Sequence, residues 1–315
     1  MIVLKAKKNK DYLSLTNIVD SITRNYGKDA RLKKILIEVI YELSCKLKND
    51  RWLNHIWFKS EQIFKDFNAS ELDKILESLL ITININYDAE SMLIFIANSY
   101  PEKVVDFFEK RVAIKAYKNL KNNEDERYDA IPFDFRKLAE SLNKNAKKVI
   151  PLIFKWYELG SEKDSWLYRW EASNLISNIF PQLNPILKEQ MVKLIRKKNR
   201  ESLEIIYSLL GKYQGEEFLY DIVEEIMKIY KKEKELKNIK LNLFSYLSQT
   251  GVVGGEYGFV DALTKKKEAV EKEMGNKGKE FQEFAKEYIN NLKDRIEYER
   301  KRADEDIALR QSNLE

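Results

Sequence analysis

Two residue types are nearly missing from this sequence: one cysteine, Cys45, and one histidine, His55, stand among 315 residues. A single cysteine excludes an internal disulfide and any zinc site built from cysteines. Prolines number five and glycines ten, so little interrupts the chain. No apolar run comes near the roughly 20 residues that span a bilayer. The opening "MIVLKAKKNK" has three apolar residues after its Met, too few for the core of a signal peptide. A cytoplasmic protein with no membrane partner is expected.

What is present favours helix. Hydrophobic residues make up 44% and charged residues 34%, the composition of a folded chain with solvated helix faces. The net charge is +5, and residues 1–50 hold the whole excess. A second basic run, "KEQMVKLIRKKNR" (188–200), is offset elsewhere by acids such as "NNEDERYD" (122–129).

Amphipathic periodicity predicts helices near 11–26, 29–48, 50–66, 69–80, 88–99, 101–119, 132–142, 145–159, 163–179, 183–198, 199–211, 215–232, 235–250, 258–273 and 278–312. Asp88, Ser161 with Asp164, and Asn68 to Ser70 are the expected N-terminal caps. Pro101, Pro132 and Pro181 fall at helix starts or breaks. "ITININY" (81–87) alternates at period two but has no matching run, which leaves it as an extended connector. Hairpins beginning near 50, 88, 132, 163, 199 and 235 recur at the interval of HEAT or TPR repeats. Such pairs bury their apolar faces only by stacking. The expected fold is all-α, an irregular α-solenoid, with a compact helical bundle as the alternative. The expected organisation is a basic helical pair (1–49), a repeat array (50–273) and a charged C-terminal helix (274–315).

Four of the ten glycines crowd into "GVVGGEYG", Gly251 to Gly258. No glycine there precedes a lysine, as a phosphate-binding Walker loop requires, and no two stand two positions apart, as the G-x-G of a dinucleotide fingerprint requires. The cluster reads as a tight inter-helix turn. Gly251 is expected to end the preceding helix in the left-handed region, with Glu256 and Tyr257 displayed to a partner. No cofactor is implied.

The stretches "YLSQTGVVGGEYGFVDALTKKKEAV" and "FAKEYINNLKDRIEYERKRADEDIALRQ", with "YPEKVVDFFEKR", "RYDAIPFDF" and "LYRWEASNLISNIFP", resemble helical-repeat segments of large bacterial proteins. Those segments follow an NTPase module of the STAND class used in antiphage defence. The resemblance covers roughly residues 95–312. It implies a sensor or scaffold array whose partner is another protein, either a phage protein or a separate effector chain. It carries over no ATP hydrolysis, because this chain has no NTPase portion.

Candidate chemistry is sparse. Arg51 and His55, with only Trp52, Leu53 and Asn54 between them, fall short of the Arg-to-His spacing of a HEPN-type RNase. An enzyme centred on them is the weakest reading. The carboxylates Glu124, Asp125, Glu126, Asp129 and Asp134 lack an EF-hand's spacing and glycine and read as a solvated acidic loop. Arg196, Lys197, Lys198 and Arg200 are the residues a nucleic acid would meet. In "DSWLYRWEASNLISNIF", Tyr168, Ala172, Leu175, Ile176 and Ile179 form an apolar stripe. Trp166 and Trp170 fall nearly opposite it, among Arg169, Ser173 and Ser177. Two tryptophans on the polar side either pack on an adjacent repeat or form a binding hot spot. The helix from 278 holds a stripe through Ile296 that then thins, so its first half is expected to dock and its second to be solvated.

Overall fold

A computed structural model describes residues 11–29, 31–120, 128–132, 135–162, 166–213 and 218–312. The protein is all-α: helix accounts for 78%, with no strand among the described residues. It divides into two compact units, Met1–Pro181 and Gln182–Glu315. Neither expected boundary, 49/50 or 273/274, coincides with that division. The basic first pair is tied into the first unit, where the Tyr26 hydroxyl donates to Ile63 O and Lys33 pairs with Glu71 at 2.9 Å.

In the first unit, α1 (Tyr12–Arg24) and α2 (Arg31–Tyr41) lead into a π-helical turn, Glu42–Lys46. The expected helix 50–66 is broken into α3 (Leu53–Ile56), a 3-10 turn (Trp57–Lys59) and α4 (Ser60–Phe64). The break turns Trp57 and Phe58 outward, while Trp52, Ile56, Ile63 and Phe64 stay buried. The indole N–H of Trp52 donates to Ser44 Oγ on the π turn at 2.7 Å, so a fully buried Trp retains a polar partner. Then come α5 (Ala69–Leu79), α6 (Tyr87–Ser99), α7 (Pro101–Leu120), α8 (Arg136–Asn143), α9 (Ala146–Glu162) and α10 (Trp166–Ile179). From α4 onward, nearly every helix packs against the next but one: α4 on α6, α5 on α7, α6 on α8, α7 on α9, α8 on α10.

Asn68 caps α5 in a capping box with Glu71. Asn86, not Asp88, caps α6: its side chain accepts from Ala89 N, and Asp88 lies in the first turn. Asp164 of the other expected cap lies outside the described residues. Pro101 opens α7, where the missing N–H has no helical acceptor to lose.

The connector at 81–87 is held by Arg111. This guanidinium is fully buried and donates to the carbonyls of Leu79, Thr82, Ile83, Asp129 and Ala130. The Ile83 carbonyl also accepts from Asp129 N at 3.0 Å. No carboxylate pairs with Arg111 among the described residues. Burial pushes its pKa down to about 10, because carbonyl dipoles only partly replace lost hydration.

The second unit contains α11 (Pro185–Arg196), α12 (Arg200–Leu210), α13 (Leu219–Ile229), α14 (Glu233–Leu247), α15 (Gly258–Met274) and α16 (Lys279–Ser312). Within it α11 packs on α13, α12 on α14, and α16 receives α13, α14 and α15. Asn184 and Asn199 cap α11 and α12. Asp221 joins Lys188 of α11 to Lys277 of the α15–α16 turn. Phe281, Phe284, Tyr288 and Leu292 bury the first half of α16, and in its second half Ala303 alone is buried.

Gly251 is not left-handed. The helix ends four residues before it, at Leu247, and the positive φ falls on Gly255, at 85°. The chain has left the helix by Ser248, so no αL cap is needed at 251.

Candidate functional site

The tryptophan pair is built on α10. At about 100° per residue, Trp166, Trp170, Asn174 and Ser177 fall within one narrow arc. Leu167, Tyr168, Glu171, Ala172, Ser173, Leu175 and Ile176 around it are buried. Trp166 is 69% exposed and Trp170 47%. Their rings meet edge to face, centroids 6.3 Å apart, a favourable aromatic arrangement. The expected arc therefore needs one correction. Ser173 belongs to the interior, where its Oγ and the Tyr157 hydroxyl share a hydrogen bond at 2.7 Å. Arg169 is half-buried.

Beneath Trp170 lies a pair that composition hides. Lys115 of α7 reaches the Glu171 carboxylate at 3.0 Å, and its ammonium stands 5.7 Å from the centre of the Trp170 ring. Glu171 is 2% exposed. Burial raises its pKa, opposed by the hydrogen bond and charge of Lys115. The pair fixes α10 against α7 directly under the tryptophans. A carboxylate at 171, inside the apolar arc between Leu167 and Leu175, was the available sequence signal.

Below the tryptophans the open face runs into a cleft of about 640 Å³ between α8 and the end of α10. Phe135, Arg136, Asn143, Lys144, Ser177 and Asn178 are among its walls. Asn143 Nδ2 donates to Ile179 O at 2.8 Å, locking the two helices together there.

The other predicted residues are dispersed. Glu256 and Tyr257 face the chain's own last helix: Tyr257 Oη donates to Asp304 Oδ1 at 2.6 Å, and Glu256 stands 3.6 Å from Arg310. The Asp304 hydrogen bond raises the Tyr257 pKa. Arg196, Lys197 and Lys198 are exposed, and Arg200 pairs with Glu204 at 3.0 Å. His55 Nδ1 lies 3.3 Å from Asp20 Oδ1, while Arg51 lies over the Tyr12 ring. Glu124, Asp125, Glu126 and Asp134 lie outside the described residues. Among the described residues no three His, Cys, Asp or Glu side chains gather as a metal site, and no helix is long and apolar enough to cross a membrane.

One exposed cluster escaped sequence reasoning. Trp57 packs edge-on against Phe58 and Tyr87, at 6.1 and 5.7 Å between centroids. The uninterrupted helix expected over 50–66 concealed it, since the 3-10 turn alone brings Trp57 outward.

No family model, curated protein or solved structure matches the chain.

Proposed function

We propose that the chain is a non-catalytic protein-recognition module, an irregular α-solenoid whose binding surface is centred on Trp166 and Trp170. The packing of helices on their next-but-one neighbours supports the solenoid, because that is how helix pairs stack into a slab. The observation that bears most weight is the exposure of the two tryptophans. Burying such rings on a partner gains roughly 25 cal/mol per Å² of apolar surface, and Trp is enriched at binding hot spots. Following the resemblance of residues 95–312, the module is the sensor array of a bacterial defence system, with a phage protein or a separate effector chain as partner.

Affinity capture with the intact chain and with Trp166→Ala/Trp170→Ala, followed by mass spectrometry, tests the reading. A partner should be enriched by the wild type and lost with the double variant, while thermal unfolding of the two is alike. Undiminished capture by the variant would overturn it.

A second reading has its own support. Arg196, Lys197 and Lys198 are exposed side by side and have no acidic partner among the described residues, as a nucleic-acid surface requires. It predicts single-stranded or duplex nucleic acid binding that falls steeply with salt and is lost on charge reversal of these three residues.

A further inference from the structure

The exposed face of α10 does not end at the tryptophans. Ser177 falls between Trp166 and Trp170 in helical azimuth, and Ser177 and Asn178 open the cleft against α8. From α8 and the residue that ends it the cleft receives Arg136 and Lys144, both exposed. They face one carboxylate, Glu140, and neither is paired with an acid among the described residues. The Asn143 and Asn178 amide nitrogens are spent on Ile179 O and Asn174 O, which leaves their Oδ1 atoms to accept.

We infer that this strip is the seat of an extended acidic peptide, a chemical identity for the partner that rests on the protein-recognition reading. Trp166 and Trp170 take an apolar or aromatic side chain at one end. Asn143 and Asn178 Oδ1 accept peptide N–H groups in the cleft. Arg136 and Lys144 take an Asp or Glu side chain, or a terminal carboxylate, at the other end. The helix bounds the spacing from below. The cleft mouth at Ser177 lies seven helical steps of ~1.5 Å from Trp170 and eleven from Trp166, about 10 and 16 Å, which an extended segment crosses in about three to five residues at ~3.3 Å each; Arg136 and Lys144 stand on the far wall. The net positive cleft selects the acid, and the rings supply most of the affinity.

Selection of displayed random linear peptides on the intact chain, then calorimetric titration of the winners, tests this. Winners should place an acid at least about three to five residues from an aromatic or large aliphatic residue. Arg136→Glu/Lys144→Glu should weaken them about ten-fold or more, and replacing the peptide's acid by lysine should restore binding to that variant. Restoration also shows that the variant is folded. Winners that need the tryptophans but ignore both charges would overturn the acidic-peptide assignment and leave protein recognition standing. Failure to select any tryptophan-dependent peptide, or displacement of the peptides by an oligonucleotide alone, would overturn both.

Discussion

The guanidinium carbon of Arg111 lies 4.3 Å from the centre of the Tyr128 ring, and the Tyr128 hydroxyl donates to Leu80 O at 2.8 Å. The two stacked side chains therefore bind the same connector. One ties the carbonyls of 79–83 to those of 129–130, and the other covers it. A buried cation is retained here by carbonyl dipoles and ring faces, without an ion-pair partner among the described residues.

Arg111→Met should consequently cost about 3–5 kcal/mol in urea unfolding, since several buried carbonyls lose their donor at ~1–3 kcal/mol each. Arg111→Lys should recover less than half of that, because an ammonium cannot match the planar fork of donors. A loss below about 1 kcal/mol for the Met variant would show that the carbonyls find other donors.

Glu171 sets a pH dependence. Its folded pKa is raised above 4.5 by burial, against the opposing pull of Lys115 and with a further raise from Asp129. In the window just above 4.5 the folded state holds more protons than the unfolded one, so stability falls as pH rises through it. The stability of the wild type relative to Glu171→Gln should be highest below pH 4.5 and decline until the folded pKa is passed. Chemical unfolding at stepped pH reads the difference, and a relative gain with rising pH would contradict the assignment.

The glycine loop makes a position-specific prediction. Gly255, at φ 85°, should lose about 1 kcal/mol on change to Ala. A methyl group added at Gly251 would meet no atom within 4 Å, and the backbone there has no left-handed φ. Gly251→Ala should be neutral or stabilising by up to about 1 kcal/mol. Equal losses at the two sites would refute the distinction.

The contacts of Glu256 and Tyr257 hold the second half of α16, where few apolar groups are buried. Tyr257→Phe with Glu256→Ala should speed amide hydrogen exchange over 300–312 and leave 281–292 protected. Unchanged exchange over 300–312 would mean that Ala303 and its neighbours suffice to dock that half.

Much of the fold was legible because helix periodicity is strong in a chain with so few glycines and prolines. The stripes of α10 and α16 are readable from residue order alone, and the cap expected at Asn68 to Ser70 falls on Asn68. The break at Trp57 was not legible. The apolar order of 50–66 suits one continuous helix, and the ring that Trp57 meets, Tyr87, is distant in sequence. Gly251 misled because four glycines within eight residues do not say which of them turns left-handed. At the candidate site the two tryptophans stood out by azimuth. Lys115 and the α8 wall did not, since both reach α10 through tertiary packing that no local pattern encodes.

The five tryptophans form two optically distinct populations. Trp52 and Trp156 are fully buried, while Trp57, Trp166 and Trp170 are exposed to different degrees. Iodide should quench only the exposed group and leave a blue-shifted remainder of emission from the buried pair. A ligand seated at α10 would then announce itself by shielding Trp166 and Trp170 from iodide, with Trp57 as the unshielded internal reference. The native chain is thus its own label: it reports occupancy of that face without an attached dye, and its buried indoles report at the same time whether the core stays intact.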